Sequence, residues 1–371
     1  MDFDTAHQEC IQSRQERLAG VMAERGLELT ILTRRESVCW LTGAWVPPLF
    51  HPCASIGADG AVTLVRPSRQ VAAPAVCATN LGYEEKWLST MRDACDQQAA
   101  SLDRLLDALG TLPERLGCEA TAAGALFSKL PGRAMEAWED FDQAVFRLRR
   151  KKDASELQQM ATANQANRVM YELARERVKP GVNELALYNE LQAAAVAELG
   201  EPLTYFGQDF RCNARGGAPR DRNAEAGELY IFDLGVGLRG YHTDNARTLA
   251  VTEPTPDQLR AWEMISAVFP MIEATVAPGV SCKAVFEQAK AMLADADPWV
   301  FNHHLGHGVG LAPHEGPHLN PNWDDQFEEG DYFTVEPGLY HEDLRLGIRL
   351  EQNYVVTETG VELLTDWPLG L

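Results

Sequence analysis

The chain has 371 residues, 45% of them apolar and 23% charged, which is long for one hydrophobic core and points to two globular domains. Its formal net charge of −21 argues against binding nucleic acid or an anionic membrane, both of which need a cationic surface. Eight scattered cysteines without a Cys-x-x-Cys pair fit reduced thiols better than a disulfide framework, and neither a signal-peptide pattern in the first 12 residues nor a membrane-length apolar run occurs, so a cytoplasmic protein is expected.

Helix and strand patterns alternate through the first 148 residues. Ile11, Leu18, Val21 and Met22 recur at helical spacing, and Gly26 supplies a stop. Residues 27–32, 37–41 and 61–65 read as short strands and 101–109 as a helix, which together make an α/β domain. The basic cluster Arg147, Arg149, Arg150, Lys151 and Lys152 reads as a solvated linker or helix start. Domains are therefore expected at 1–148 and 149–371.

Asp153-Ala154-Ser155-Glu156 opens a helical pattern that reaches about residue 178. Val178-Lys179-Pro180-Gly181-Val182 then recurs as Val276-Ala277-Pro278-Gly279-Val280, and a predicted helix follows each copy, over 183–199 and 281–293. One Pro-Gly turn means little, but two with matching flanks predict a duplicated half and a site between the copies. Strand-like runs at 228–234, 240–251, 332–336 and 349–357 complete an α+β domain with helices outside a curved antiparallel sheet.

Five residues of metal-ligand type fall in this second domain: Asp233, Asp244, His307, Glu336 and Glu351. Three glycines between Asp233 and Asp244 predict a hairpin that brings the two together. Asp233 directly follows Tyr230-Ile231-Phe232, and a carboxylate among apolar neighbours needs a compensating charge. Five of the nine histidines, His303, His304, His307, His314 and His318, crowd into 16 residues, and glycines flank His307. Glu336 precedes the turn pair Pro337-Gly338, and Arg349 shares strand parity with Glu351; either glutamate alone would read as a surface carboxylate. Four carboxylates and one imidazole match the charge of two divalent cations. Two such ions about 3.5–4 Å apart make a hydroxide nucleophile and polarise a carbonyl, so a metal-dependent hydrolase is expected. No Gly-x-Ser-x-Gly elbow and no phosphate-loop Gly-Lys-Ser/Thr ending competes with this reading.

The runs Tyr230-Ile231-Phe232-Asp233-Leu234-Gly235, Gly240-Tyr241-His242-Thr243-Asp244, the glycine-flanked His307, Val335-Glu336-Pro337-Gly338 and Gly347-Ile348-Arg349-Leu350-Glu351 resemble the signature of the M24 pita-bread metallopeptidases. The likeness is nearest to Xaa-Pro aminopeptidases and Xaa-Pro dipeptidases (prolidases), and Trp40-Leu41-Thr42-Gly43 resembles part of their creatinase-like N-terminal α/β domain. The resemblance implies a pita-bread catalytic domain with a pseudo-two-fold repeat, and two divalent metal ions, manganese first with cobalt or zinc as alternatives. Asp244 and Glu351 would bridge them, Asp233 would complete one, and His307 with Glu336 the other. It further implies that a metal-bridging hydroxide attacks the Xaa-Pro bond of a dipeptide or short peptide. His314 would stabilise the intermediate, Glu336 shuttle the proton, His303 line the pocket, and Tyr340 and Arg349 contact substrate or support the ligands. A homodimer is also implied.

The resemblance breaks at one place. Gly216-Gly217 stand where relatives carry a histidine that holds the substrate, upstream of the stretch Arg220-Asp221-Arg222. The break bears on Xaa-Pro specificity and leaves the metal ligands intact. Two other readings follow: a pita-bread hydrolase of a non-peptide C–N or amide bond, ectoine hydrolase- or creatinase-like, and a non-catalytic binding module, which the complete ligand set disfavours.

Overall fold

A computed structural model of the protein describes residues 5–85, 95–129 and 138–371. They divide into two units, Met1–Arg149 and Arg150–Leu371, each with its own apolar core. No helix among the described residues is long and apolar enough to cross a membrane.

The first unit is a mixed six-stranded sheet with helices. Its strands are β1 (Leu29–Leu32), β2 (Cys53–Gly57), β3 (Val62–Pro67), β4 (Thr79–Tyr83), β5 (Leu116–Cys118) and β6 (Trp138–Asp140), in the order β4-β3-β2-β1-β5-β6. β1, β2 and β3 pair antiparallel, whereas β4, β5 and β6 join in parallel. Among the described residues, the α-helices α1 (Thr5–Glu24), α2 (Arg35–Thr42), α3 (Cys95–Leu109), α4 (Gly124–Lys129) and α5 (Asp142–Arg150) accompany them.

Two expectations fail here, the second in part. Residues 37–41 form part of helix α2, not a strand. Ser37 through Thr42 are all buried, so the run shows no polar face from which its period could be read. Gly43 ends the helix in the left-handed region at φ 73°, its N–H bonded to the Cys39 carbonyl. The basic cluster is only partly solvated: Arg147 and Lys151 are exposed. Arg149 and Lys152 are buried, Arg150 donates to the buried Asp331 at 2.6 Å, and Lys152 Nζ lies 3.4 Å from Glu315.

The second unit repeats a motif. Asp153 caps α6 (Ala154–Arg177) through a capping box with Glu156, and Asn183 caps α7 (Glu184–Leu199). β7 (Tyr205–Cys212), β8 (Leu229–Leu238), β9 (Tyr241–His242) and β10 (Asn245–Ala250) follow; β8 pairs antiparallel with the other three. The second copy runs through α8 (Pro256–Ser266), α9 (Val268–Thr275) and α10 (Cys282–Met292), the last capped by Ser281. Its sheet contains β11 (Gly306–Gly308), β12 (Glu315–Leu319), β13 (Tyr332–Val335), β16 (Gln352–Val356) and β17 (Val361–Leu363), while β14 (Gly338–Leu339) pairs with β15 (Ile348–Arg349). The expected strands 240–251 and 349–357 are thus each interrupted, at Thr243-Asp244 and at Leu350-Glu351, where ligand-type residues stand.

Bond for bond, the two turns correspond. Gly181 and Gly279 have φ of 91° and 87°. Gly181 donates to the Ala224 carbonyl and Gly279 to that of Phe327; Val182 donates to Lys179 and Val280 to Ala277. Such turns need a residue without Cβ strain, which is why the Gly recurs.

Candidate metal centre

Strand parity builds a carboxylate side. On β8, Asp233 lies opposite Asp209 of β7 and opposite Ala246 of β10. The register that pairs Leu234 with Asn245 and Gly237 with His242 sets Asp244 across from Gly235, on the face that Asp233 uses. Gly235 allows this close approach, because a Cβ there would stand 2.7 Å from the Thr243 carbonyl oxygen. Glu351 joins from the gap between β15 and β16. The Glu351 N–H donates to the Ala246 carbonyl, and the Glu351 carbonyl accepts from Asn245 Nδ2, each at 2.9 Å. Ligand atoms of the three buried carboxylates Asp233, Asp244 and Glu351 lie within 4.8 Å of one another.

Carboxylates gathered this closely resist ionisation. Burial first, then the charges of Glu351 and Asp233, pushes Asp244 well above the usual carboxylate range. Burial first, then Asp233 and Glu336, does the same to Glu351. Asp233 is also raised by burial, against the pull of Arg349. Arg349 is not on a solvent face: it is buried, donating from Nη2 to Asp233 Oδ2 at 2.6 Å and to Asp209 Oδ2.

The imidazole side comes from the second copy. A Cβ on Gly306 or on Gly308 would stand 1.9 Å from the carbonyl oxygen of Thr334 or of Gly316, so the glycines around His307 let strands close on it. His307 Nδ1 lies 2.9 Å from the Gly308 carbonyl oxygen and therefore carries the proton. Its Nε2 keeps a lone pair, 3.5 Å from Glu336 Oε1 and 3.7 Å from Asp244 Oδ2. Burial lowers the ring to about 4, so it is neutral at pH 7. Burial would raise Glu336, but a 2.8 Å hydrogen bond from His304 Nε2 and the other nearby histidines bring it down to about 2.

His314 is exposed and stacks on His307, ring centroids 3.7 Å apart and planes 15° from parallel. His303 donates from Nδ1 to the His304 carbonyl at 2.7 Å and accepts at Nε2 from the Tyr340 hydroxyl at 2.9 Å. Arg349 Nη1 donates to that hydroxyl at 3.4 Å. These groups face a cavity of about 300 Å³. Four of the histidines, 303, 304, 307 and 314, also line a cavity of about 460 Å³ that Phe286, Phe301 and Trp323 wall further out.

The sequence profile described as "Metallopeptidase family M24" matches residues 158–358, and that of the "Creatinase/Prolidase N-terminal domain" matches 14–151. The chain belongs to metallopeptidase family M24. An uncharacterised peptidase of Staphylococcus saprophyticus is 30% identical to this M24 chain over 239 residues, 63% of this chain and 67% of that protein. In fold it is similar to the prolidase from Pyrococcus horikoshii, with a TM-score of 0.78 at 21% identity over 96% of this chain and 99% of the other. It is likewise similar to the X-Pro aminopeptidase from Thermotoga maritima, with a TM-score of 0.77 at 21% identity over 96% and 98%.

The M24 chain's own atoms fit a divalent metal. Both carboxylate oxygens of Glu351 are buried and find no hydrogen-bond donor among the described residues. A buried carboxylate without donors is costly, and a cation supplies what the donors do not. His307 meets the complementary condition, since its backbone-bound Nδ1–H aims a free Nε2 at Glu336 and Asp244.

Eight of the nine residues expected from the sequence line the smaller cavity: Asp233, Asp244, His303, His307, His314, Glu336, Tyr340 and Arg349. Glu351 joins through the carboxylate trio. Three further residues of the cavity were not legible as such. His304 stood inside the histidine run with nothing to distinguish it. Asp209 is marked only by its register opposite Asp233. Arg215 carries no local sign except the glycines after it. At Gly216 and Gly217 there is no room for a side chain: φ is 148° and 114°, and a Cβ on Gly216 would stand 2.2 Å from Asp209 Oδ2.

Proposed function

We propose that this M24 peptidase is a dinuclear metallopeptidase that hydrolyses the Xaa-Pro bond of dipeptides or short peptides. The observation that carries the reading is the buried trio Asp233, Asp244 and Glu351, with Glu351 lacking any side-chain donor among the described residues, beside the Nε2 of His307. Asp233, Asp244 and Glu351 would hold one divalent ion; Asp244, Glu351, His307 and Glu336 would hold the second, manganese before cobalt or zinc. When bound, such ions acidify water and polarise a carbonyl.

The remaining work falls to side chains. Glu336 is held ionised by His304 and is placed to accept the proton of the attacking water and return it to the leaving nitrogen. His314, exposed in the cavity and stacked on His307, is placed to donate to the carbonyl oxygen as negative charge develops there. Both nitrogens of His303 are engaged, so its part is to position Tyr340 and wall the substrate. Arg349 favours the anionic form of Asp233 against its burial and fixes Tyr340. The folds of the prolidase and the X-Pro aminopeptidase support the substrate class.

The glycines at 216 and 217 favour a second reading, hydrolysis of a non-peptide amide, because they leave no side chain where relatives hold the peptide. Turnover of Ala-Pro, Gly-Pro-Pro and cyclic amides separates the two. The peptidase reading expects Xaa-Pro cleavage that chelation abolishes and Mn²⁺ restores, with two metal ions per chain by elemental analysis. Turnover of cyclic amides alone would defeat it.

A further inference from the structure

Arg215 lines the cavity. Among the described residues no carboxylate pairs with it; its guanidinium donates to the amide oxygen of Asn302 and lies 4.2 Å from the centroid of the Tyr340 ring. The other arginine of the cavity, Arg349, is committed to Asp233 and Asp209.

The loop that carries Arg215 is fixed from three directions. Arg349 Nη1 donates to the Arg215 carbonyl at 3.3 Å. Gly217 donates its N–H to the Asp209 carboxylate, and its carbonyl accepts from Phe210 N–H at 2.9 Å. Gly216 at φ 148° packs its backbone against the same carboxylate. The two glycines therefore give up a side chain at their own positions and hold the preceding residue, an arginine, in the cavity.

Partnership and shape say what that arginine is for. Arg349 is committed to Asp233 and Asp209, whereas Arg215 is exposed in the cavity with no carboxylate partner among the described residues. An exposed guanidinium with its planar fork resting on an aromatic face is suited to a carboxylate.

We infer that Arg215 binds a carboxylate of the substrate and so sets specificity; this rests on the peptidase reading above. The carboxylate comes either from the C-terminus of a short peptide or from an acidic side chain. The test measures kcat and KM of the Mn²⁺-loaded wild type, Arg215→Gln and Arg215→Lys on three substrates. Ala-Pro offers a C-terminal carboxylate, Ala-Pro-amide offers none, and Asp-Pro-amide offers only the side chain. Arg215→Gln should raise KM for one carboxylate-bearing substrate by about 10- to 100-fold, with kcat within about 3-fold, and leave Ala-Pro-amide unchanged. Arg215→Lys should recover part of the loss, because it restores charge without the fork. The substrate that responds names the source of the carboxylate.

Equal KM changes on acid and amide, or no change on any substrate, would overturn the assignment. If no substrate is turned over by any of the proteins, the peptidase reading fails, and calorimetry then decides on Arg215 separately. Mn²⁺-loaded wild type should bind Ala-Pro or Asp-Pro-amide at least about 10-fold more tightly than Arg215→Gln does. Equal affinities for both ligands, or no binding of either, would overturn it.

Discussion

In the first half of the metallopeptidase unit a Pro180-Gly181 turn leads into α7, β7 and β8; in the second, Pro278-Gly279 leads into α10, β11 and β12. The turns make equivalent hydrogen bonds, yet the halves deliver different chemistry to the cavity. The first supplies the carboxylates Asp209, Asp233 and Asp244 and the guanidinium of Arg215. The second supplies the imidazoles of His303, His304, His307 and His314, together with Glu336. Glu351 and Arg349 lie on the second half's chain but act on the first, through the Ala246 backbone and the Asp233 and Asp209 carboxylates. A duplicated scaffold thus fixes where ligands can stand, while which atoms they offer is decided residue by residue.

The comparison breaks most visibly at Arg349. Asp233 and Asp209 are cross-strand partners of like charge, and Arg349 is what lets them coexist. Arg349→Met should destabilise the protein by about 3–5 kcal/mol, as expected when one partner of a buried ion pair is removed. Adding Asp209→Asn should recover part of that. Chemical denaturation of the single and double variants checks both, and full additivity would mean that the three groups do not act as a unit.

Ligand variants should separate the two halves by metal content. Asp244 belongs to two of the three candidate metal-binding groups, and Asp244→Asn should lower activity by more than about 100-fold with loss of bound metal. His304→Gln touches only the imidazole half, through Glu336, and should cost about 10-fold with metal retained. Elemental analysis beside steady-state rates distinguishes them. Gly216→Ala probes the first half's loop: with φ at 148° and the Asp209 carboxylate in the way, it should cost about 1–3 kcal/mol in thermal unfolding.

Much of this arrangement was legible in the sequence because local chemistry announces itself. Asp153, Asn183 and Ser281 read as helix starts and are caps; the repeated Pro-Gly predicted equivalent turns; carboxylates after apolar runs predicted a cluster. What escaped depends on pairing between distant segments. Asp209 matters because the β7–β8 register sets it against Asp233. Arg150 and Lys152 of the basic cluster turn inward because Asp331 and Glu315, more than 160 residues away, receive them. Helix α2 hid because burial on all sides erases the period that identifies a helix.

A last distinction between the halves lies in their response to pH without metal. Asp244 and Glu351 have raised folded-state pKa values, from burial first and then from neighbouring carboxylates, so the native protein holds protons that the unfolded chain releases. Stability then falls as pH rises through those raised values, with a slope of about 1.4 kcal/mol per pH unit for each proton held in excess. Glu336 works the other way. Its value of about 2 contributes stability that is present above the unfolded carboxylate range and is lost as pH falls toward 2. Chelated protein should therefore be most stable at mildly acidic pH and weaken above it. Saturating Mn²⁺ should reverse the upper limb, because metal requires the deprotonated ligands and stabilises the fold more as pH rises. Thermal unfolding from about pH 2 to 8, with chelator and with Mn²⁺, measures both limbs. A chelated protein whose stability climbs from about pH 5 to 8 would mean that Asp244 and Glu351 are not held as a proton-sharing cluster.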